Sequence, residues 1–164
     1  MKPWYVALLM IAALTGSALA AEWRTYVNER FGATADIPAS YKEGEAPEND
    51  DGRRFTSPEG DATIAVWGSF SSLEGESLQQ YAEQLVTYDE EDGWTISYTA
   101  GKPDWYAFSG TKGDQIVFEK IIQACDGQIA NHVRLEYPVA RKAEFDPIVA
   151  HVTKSLRSEK GWQC

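Results

Sequence analysis

The stretch Gln115–Tyr137 reads QIVFEKIIQACDGQIANHVRLEY, and its pattern decides the fold. Asp126-Gly127 divides it into two extended halves, the signature of a tight antiparallel connection. In the second half Ile129, Asn131, Val133, Leu135 and Tyr137 alternate with Ala130, His132, Arg134 and Glu136. One face is therefore apolar and the other is expected to be wet. Downstream, Phe145, Ile148, Val149, Val152 and Leu156 fall in one helical stripe. Asp146 is the expected cap of that helix and Pro147 belongs to its first turn. Lys154 and Arg157 lie where the helix dipole favours cations.

Upstream, Trp94, Ile96, Tyr98 and Ala100 alternate with Thr95, Ser97 and Thr99. Trp105 to Ser109 is a further extended piece, closed by Gly110-Thr111-Lys112-Gly113-Asp114. Before these, Ser77 and Gln80 form a capping box ahead of Leu78, Tyr81, Ala82, Leu85 and Val86 on one helix face. The acidic run Asp89 to Asp92, with Gly93, is expected to break that helix. Ala62, Ile64, Val66, Gly68 and Phe70 alternate with Thr63, Ala65, Trp67 and Ser69, a clear strand. Arg53 to Ser57 is short and extended, and Tyr41 to Gly52 reads as a loop. Trp23 to Val27 and Phe31 to Ile37, stopped by Pro38, read as an opening hairpin. Strands run mostly as antiparallel meanders and two amphipathic helices remain to cover them. The class is α+β, an antiparallel sheet flanked by helices.

The first twenty residues read as a secretory leader. Lys2 precedes an apolar run from Trp4 to Leu14, and Ala18-Leu19-Ala20 supplies the small-residue cleavage site. The cut is expected between Ala20 and Ala21, leaving 21–164 as a single domain. The apolar run is shorter than the roughly 20 residues a bilayer span needs, and no Cys follows the cut to carry a lipid. An exported protein, periplasmic or extracellular and without a stable membrane anchor, is the expectation. In an oxidising compartment Cys125 and Cys164 are expected to pair. The closed loop of about 40 residues would stabilise by about 4 kcal/mol in the chain-entropy view.

The 164 residues carry a net charge of -10, which opposes nucleic-acid binding because phosphate recognition needs a basic stripe. With 43% hydrophobic residues the chain is too apolar for disorder. The chemistry-bearing residues are sparse. The histidines are His132, on the polar side of its strand, and His151, off the apolar stripe of its helix. Both read as solvated. There is no nucleophile-elbow motif and no zinc-ligand spacing. Neither Gly52 nor Gly93 aligns the acidic clusters as a calcium loop, so no metal or cofactor is expected. Trp94 reads as core. Trp67 sits opposite the apolar side of its strand, either covered by a helix or presented as a platform. Trp67 and Trp105 are the candidate contact residues.

The blocks Phe31 to Pro38, Phe55 to Ala62, Leu135 to Pro138, and Asp146 to Val149 with Ser155-Leu156 resemble the PsbP/Mog1-like superfamily. They are also similar to small bacterial secreted proteins of like layout. The resemblance implies an antiparallel sheet sandwiched by helices, with the C-terminal helix packed on the sheet. It also implies non-enzymatic assembly or binding work, for partners as different as a photosystem and a small GTPase. No site residue carries over from it. The expected function is an exported binding or accessory module of the bacterial envelope, acting on a protein or a small ligand. Two alternatives remain open. One is a small hydrolase in which His132 or His151 meets a carboxylate. The other is an acidic inhibitor of a cationic hydrolase such as lysozyme, steered by charge.

Overall fold

The computed structural model describes residues 22–71 and 77–159. In chain order these form β1 (Trp23–Val27), β2 (Ala33–Pro38), β3 (Lys42–Glu43), β4 (Gly52–Thr56) and β5 (Thr63–Phe70), then α1 (Leu78–Glu91). There follow β6 (Thr95–Lys102), β7 (Trp105–Lys112), β8 (Gln115–Ala124), β9 (Ile129–Pro138), α2 (Lys142–Ser155) and β10 (Arg157–Ser158). The large sheet is seven-stranded and antiparallel, ordered β3-β4-β5-β9-β8-β7-β6. A small sheet, β1-β2-β10, closes the molecule on one side.

The decisive hairpin forms as β8 and β9, in continuous register from Gln115 opposite Pro138 to Ala124 opposite Ile129. Its turn holds Cys125, Asp126 and Gly127 all at positive φ. Only the last of these is a residue that tolerates that region freely. Cys164, and with it the expected bridge to Cys125, lies outside the described residues, as do the leader and its cut at Ala20 and Ala21. Among the described residues no helix is long and apolar enough to cross a membrane.

The alternation of β9 sorts the molecule into layers. Val133, Leu135 and Tyr137 face the small sheet and α2, where they pack with Ala33, Ala35, Ile37, Phe55, Ile64 and Phe145. The opposite face carries α1, whose Leu78 and Ala82 meet Tyr106, Phe108, Ile121 and Ala130. The C-terminal helix packs on the sheet: Phe145 stacks on Tyr137 with ring centroids 4.7 Å apart.

Four local expectations are corrected. α2 begins at Lys142, a turn before Asp146, because a short 3-10 segment at Val139–Arg141 feeds it and Lys142 Nζ bonds Asp146 at 2.7 Å one turn on. Pro147 thus lies inside the helix, not in its first turn, and removes one backbone bond there. α1 runs through the acidic stretch to Glu91, under a complete capping box at Ser77 and Gln80. The expected loop from Tyr41 contains β3. A register shift between Ile96 and Tyr98 breaks the alternation of β6, so Tyr98 leaves the apolar side and stacks on Phe118 across the sheet's other face.

Outside the core, Arg141 bonds Asp61 at 2.7 Å and Glu144 at the base of α2. The hydrogen bonds from Arg141 hold both carboxyls below their ordinary values. A carboxyl depressed in the folded state stabilises above its unfolded pKa, and that contribution is lost as pH falls through the folded value. Stability should therefore decline as pH drops below about 4, the ordinary carboxylate range, and the decline should be shallower in Arg141→Met. Urea midpoints measured from pH 2 to 6 on both proteins check this. Superimposable acid limbs would contradict it.

Candidate functional site

Backbone register settles which side chains share a face. One cross-strand row on the α1 side runs Gly52, Trp67, His132, Ile121, Tyr106. The next row runs Arg54, Ala65, Arg134, Glu119, Phe108. This is the face expected to be wet. α1 lies across its β6–β8 part, so the polar residues of β9 meet a helix instead of water.

His132 is the main correction. Its side chain is 1% exposed, not solvated. Nδ1 faces Glu119 Oε1 at 3.0 Å, and that carboxylate is itself 3% exposed. An ionised carboxylate only accepts, so Nδ1 carries the proton. Nε2 lies 3.3 Å from Ser69 Oγ and 3.2 Å from Tyr81 Oη, which are 3.0 Å from one another. Burial raises the Tyr81 phenol above its ordinary value, so the hydroxyl stays neutral. The imidazole stacks on Trp67, with centroids 4.5 Å apart and planes 10° from parallel.

Arg134 completes the network. Nη1 bonds Glu119 Oε2 at 3.0 Å, Nε bonds Glu136 at 2.7 Å, and Nη1 and Nη2 take both oxygens of Asp89 at 2.7 and 3.0 Å. Burial alone would lower the guanidinium pKa, but the bond to Asp89, the charge of Glu119 and the bond to Glu136 outweigh it and raise the value. The guanidinium also lies over Trp94, 5.6 Å from its centroid, and Trp94 is buried as expected. Asp89 is therefore no solvated acid. It follows Leu85 by one helical turn, on the stripe that faces the sheet, and that spacing is the signal that identifies it. Glu119 and Arg134 were legible as cross-strand neighbours once the β8–β9 register was known. Among the described residues only the Asn131 side chain has buried polar atoms without a partner. Every group of this network is satisfied, as a buried charge cluster requires.

Beyond α1 the same face opens into a cleft of about 430 Å³. Trp67, Ala65, Gly52 and Arg134 line it with Arg54, and Glu45, Ala46, Pro47 and Asp51 border it from the connection between β3 and β4. His132 covers one face of the Trp67 indole. On the other side the cross-strand partner is Gly52, which has no side chain to lay over the ring, and Trp67 lines the cleft. Arg54 donates to Thr63 Oγ1 at 3.3 Å, and among the described residues it forms no ion pair. Arg53, by contrast, is engaged by Asp50 at 2.6 Å and Glu43 at 3.4 Å.

A Cβ on Gly52 would fall inside the van der Waals envelope of Trp67 Cβ and the Val66 carbonyl. Gly52→Ala should cost about 1–3 kcal/mol and displace the indole. A urea melt followed by Trp emission checks both. An unchanged midpoint and spectrum would show that β4 gives way freely.

The remaining candidates lie elsewhere. Trp105 neighbours Tyr106 in β7 and so points to the opposite face, where Lys120 lies 6.0 Å from its centroid. The structure therefore does not bring Trp67 and Trp105 together. His151 is 40% exposed, yet its ring stacks on Trp23 at 3.7 Å and Nε2 lies 3.3 Å from Asp36. It belongs to the seam between α2 and the small sheet.

No family model matches the chain, and no curated protein sequence does. Solved structures do. The solution structure of cyanobacterial PsbP (CyanoP) from Synechocystis sp. PCC 6803 superposes with a TM-score of 0.64 at 11% identity, covering 88% of this chain and 96% of that one. The Ran-binding protein Mog1p of Saccharomyces cerevisiae superposes with a TM-score of 0.62 at 8% identity, covering 85% and 96%. At such identities the likeness speaks for architecture alone. The chain has the PsbP/Mog1-like fold.

Proposed function

We propose that the protein is an exported, non-enzymatic binding module of the bacterial envelope, cleaved after Ala20 and closed by a Cys125–Cys164 bridge, which takes its ligand in the Trp67 cleft. One observation carries this reading. A half-buried indole is backed by a buried, hydrogen-bonded network and lines a cavity of small-ligand size. Pockets of about 300–1,000 Å³ with a few placed polar groups are the usual form of such sites. A rigid aromatic anchor binds at low entropic cost, because its ordering is already complete in the free protein. PsbP-like and Mog1-like architecture accommodates this role without specifying the partner.

A thermal-shift panel of envelope-derived small molecules and peptides, run on the mature protein and on Arg54→Glu, tests it. Ligands that raise the wild-type melting temperature should fail to raise that of the exposed-site variant. Equal shifts in both would place binding elsewhere and overturn the reading.

The Glu119–His132–Ser69 alignment favours a second reading, a serine hydrolase. A carboxylate orienting an imidazole toward a hydroxyl is the arrangement that activates a nucleophile. Against it, the imidazole is sealed by Trp67, and Tyr81 shares its free nitrogen with Ser69. Covalent labelling by a fluorophosphonate, abolished in Ser69→Ala, would establish the hydrolase and displace the binding module.

A further inference from the structure

We infer that the ligand of the Trp67 cleft is an acidic saccharide, a pyranose ring bearing a carboxylate. This rests on the binding reading above and specifies its ligand.

Three features of the cleft converge. The first is the indole face itself. With His132 behind it and Gly52 beside it, Trp67 offers a flat apolar surface that suits the C–H face of a sugar ring. The second is the unpaired cation. Arg54 stands opposite Ala65, two residues from Trp67 along the same face, which puts its Cβ about 7–8 Å from the indole's. Among the described residues it pairs with no carboxylate, in a chain whose net charge is -10. A planar guanidinium left free at a cavity wall is suited to a carboxylate held in two-point contact.

The third feature is the supply of acceptors. Glu45 forms no ion pair among the described residues, and Asp51 Oδ2 accepts only from Asn49 Nδ2, at 2.7 Å. Both border the same cavity as Arg54. A sugar brings several hydroxyl donors to such acceptors, whereas a purely anionic ligand would be repelled by them.

The geometry also disfavours a peptide strand. Over residues 54–56 the outer edge of β4 is already occupied, because β3 pairs with Phe55 and Thr56 and Gly44 N–H donates to Arg54 O at 2.8 Å. An incoming chain therefore finds no free backbone ladder along those residues, the usual source of affinity when a peptide joins a sheet. What remains is recognition by one ring, the one lining arginine without an ion pair among the described residues, and two acceptors.

The test is a titration of the mature protein, labelled with 5-fluorotryptophan, with trigalacturonate at low ionic strength. Cellotriose serves as the neutral control and pentaglutamate as an acidic chain without rings. Trigalacturonate should shift the Trp67 resonance, assigned through Trp67→Phe, and leave that of Trp105 in place. Arg54→Met, altered at an exposed position, should weaken the trisaccharide by at least about tenfold, the loss of one charge-assisted contact. Cellotriose should bind more weakly than trigalacturonate by a similar factor. No shift of Trp67 with trigalacturonate at millimolar concentration overturns the proposal. So does equal binding of cellotriose, or a Trp67 shift with pentaglutamate alone. That last result would retain the cleft as the binding site while removing the saccharide. Binding of trigalacturonate without any Trp67 response would instead overturn the cleft.

Discussion

Arg134→Met should lose about 3–5 kcal/mol of folding stability, a large share of the roughly 5–15 kcal/mol that a domain of this kind possesses. The mutation removes one cation from among three carboxylates. Glu119 would be left 3% exposed with only the His132 Nδ1–H as donor, and Asp89 would lose both of its bonds to the sheet. The penalty comes from stranding charge away from water, not from the worth of any one ion pair. A second substitution separates these causes. Glu119→Gln in the Arg134→Met background should recover part of the loss, because it removes the stranded charge while keeping the shape. Arg134→Lys should fall between the wild type and Arg134→Met, since an ammonium keeps the charge but cannot reach Asp89, Glu119 and Glu136 together. Urea denaturation followed by far-ultraviolet dichroism gives all four values. A loss below about 1 kcal/mol in Arg134→Met, the range of exposed ion pairs, would show that water reaches the network.

Phe145→Ala is expected to cost about 3–5 kcal/mol, through a different cause. The ring is 1% exposed, lies parallel to Tyr137 and has the Arg141 guanidinium 5.0 Å from its centroid. Truncation leaves a void between α2 and β9 that neither side can fill, since Tyr137 and Val149 are held by their own backbones. α2 also carries His151, whose ring covers Trp23, and leads into β10, which closes the small sheet. The variant should therefore lose the Trp23–His151 stack earlier in denaturant than it loses the large sheet. Trp emission and dichroism would then give separate midpoints where the wild type gives one. Coincident transitions with a small loss would mean that α2 contributes little to holding the layers together.

The strand order along the chain and both helices were legible because alternation and capping are local signals. Ile129 to Tyr137 kept its period, and Ser77 with Gln80 formed the expected box. That helices flank the sheet was legible, but which polar side chains of the second face they cover was not. His132 and Arg134 alternate as a solvated side would, and a sequence cannot say that α1 returns over that side. Asp89 looked like part of a helix-breaking acidic run because its partner Arg134 stands 45 residues away. The bulge in β6 reversed Tyr98 without any glycine or proline to announce it. Of the residues around the cleft, Trp67 lies on the second face as its alternation indicated, whereas Arg54 and Gly52 joined it only with the β4–β5 register. Long-range pairing decides such features, and periodicity does not contain it.

The indole at residue 67 decides whether the cleft binds a ligand. A fluorine spectrum of residues 21–164 carrying 5-fluorotryptophan, recorded while envelope extract is added, examines it without assuming any ligand. The Trp67 line should be single and sharp beforehand, as expected of a ring held by His132, and should then move or broaden while Trp105 on the far face stays fixed. A displaced Trp105 beside an unmoved Trp67, or a Trp67 signal already spread over several lines, would contradict it.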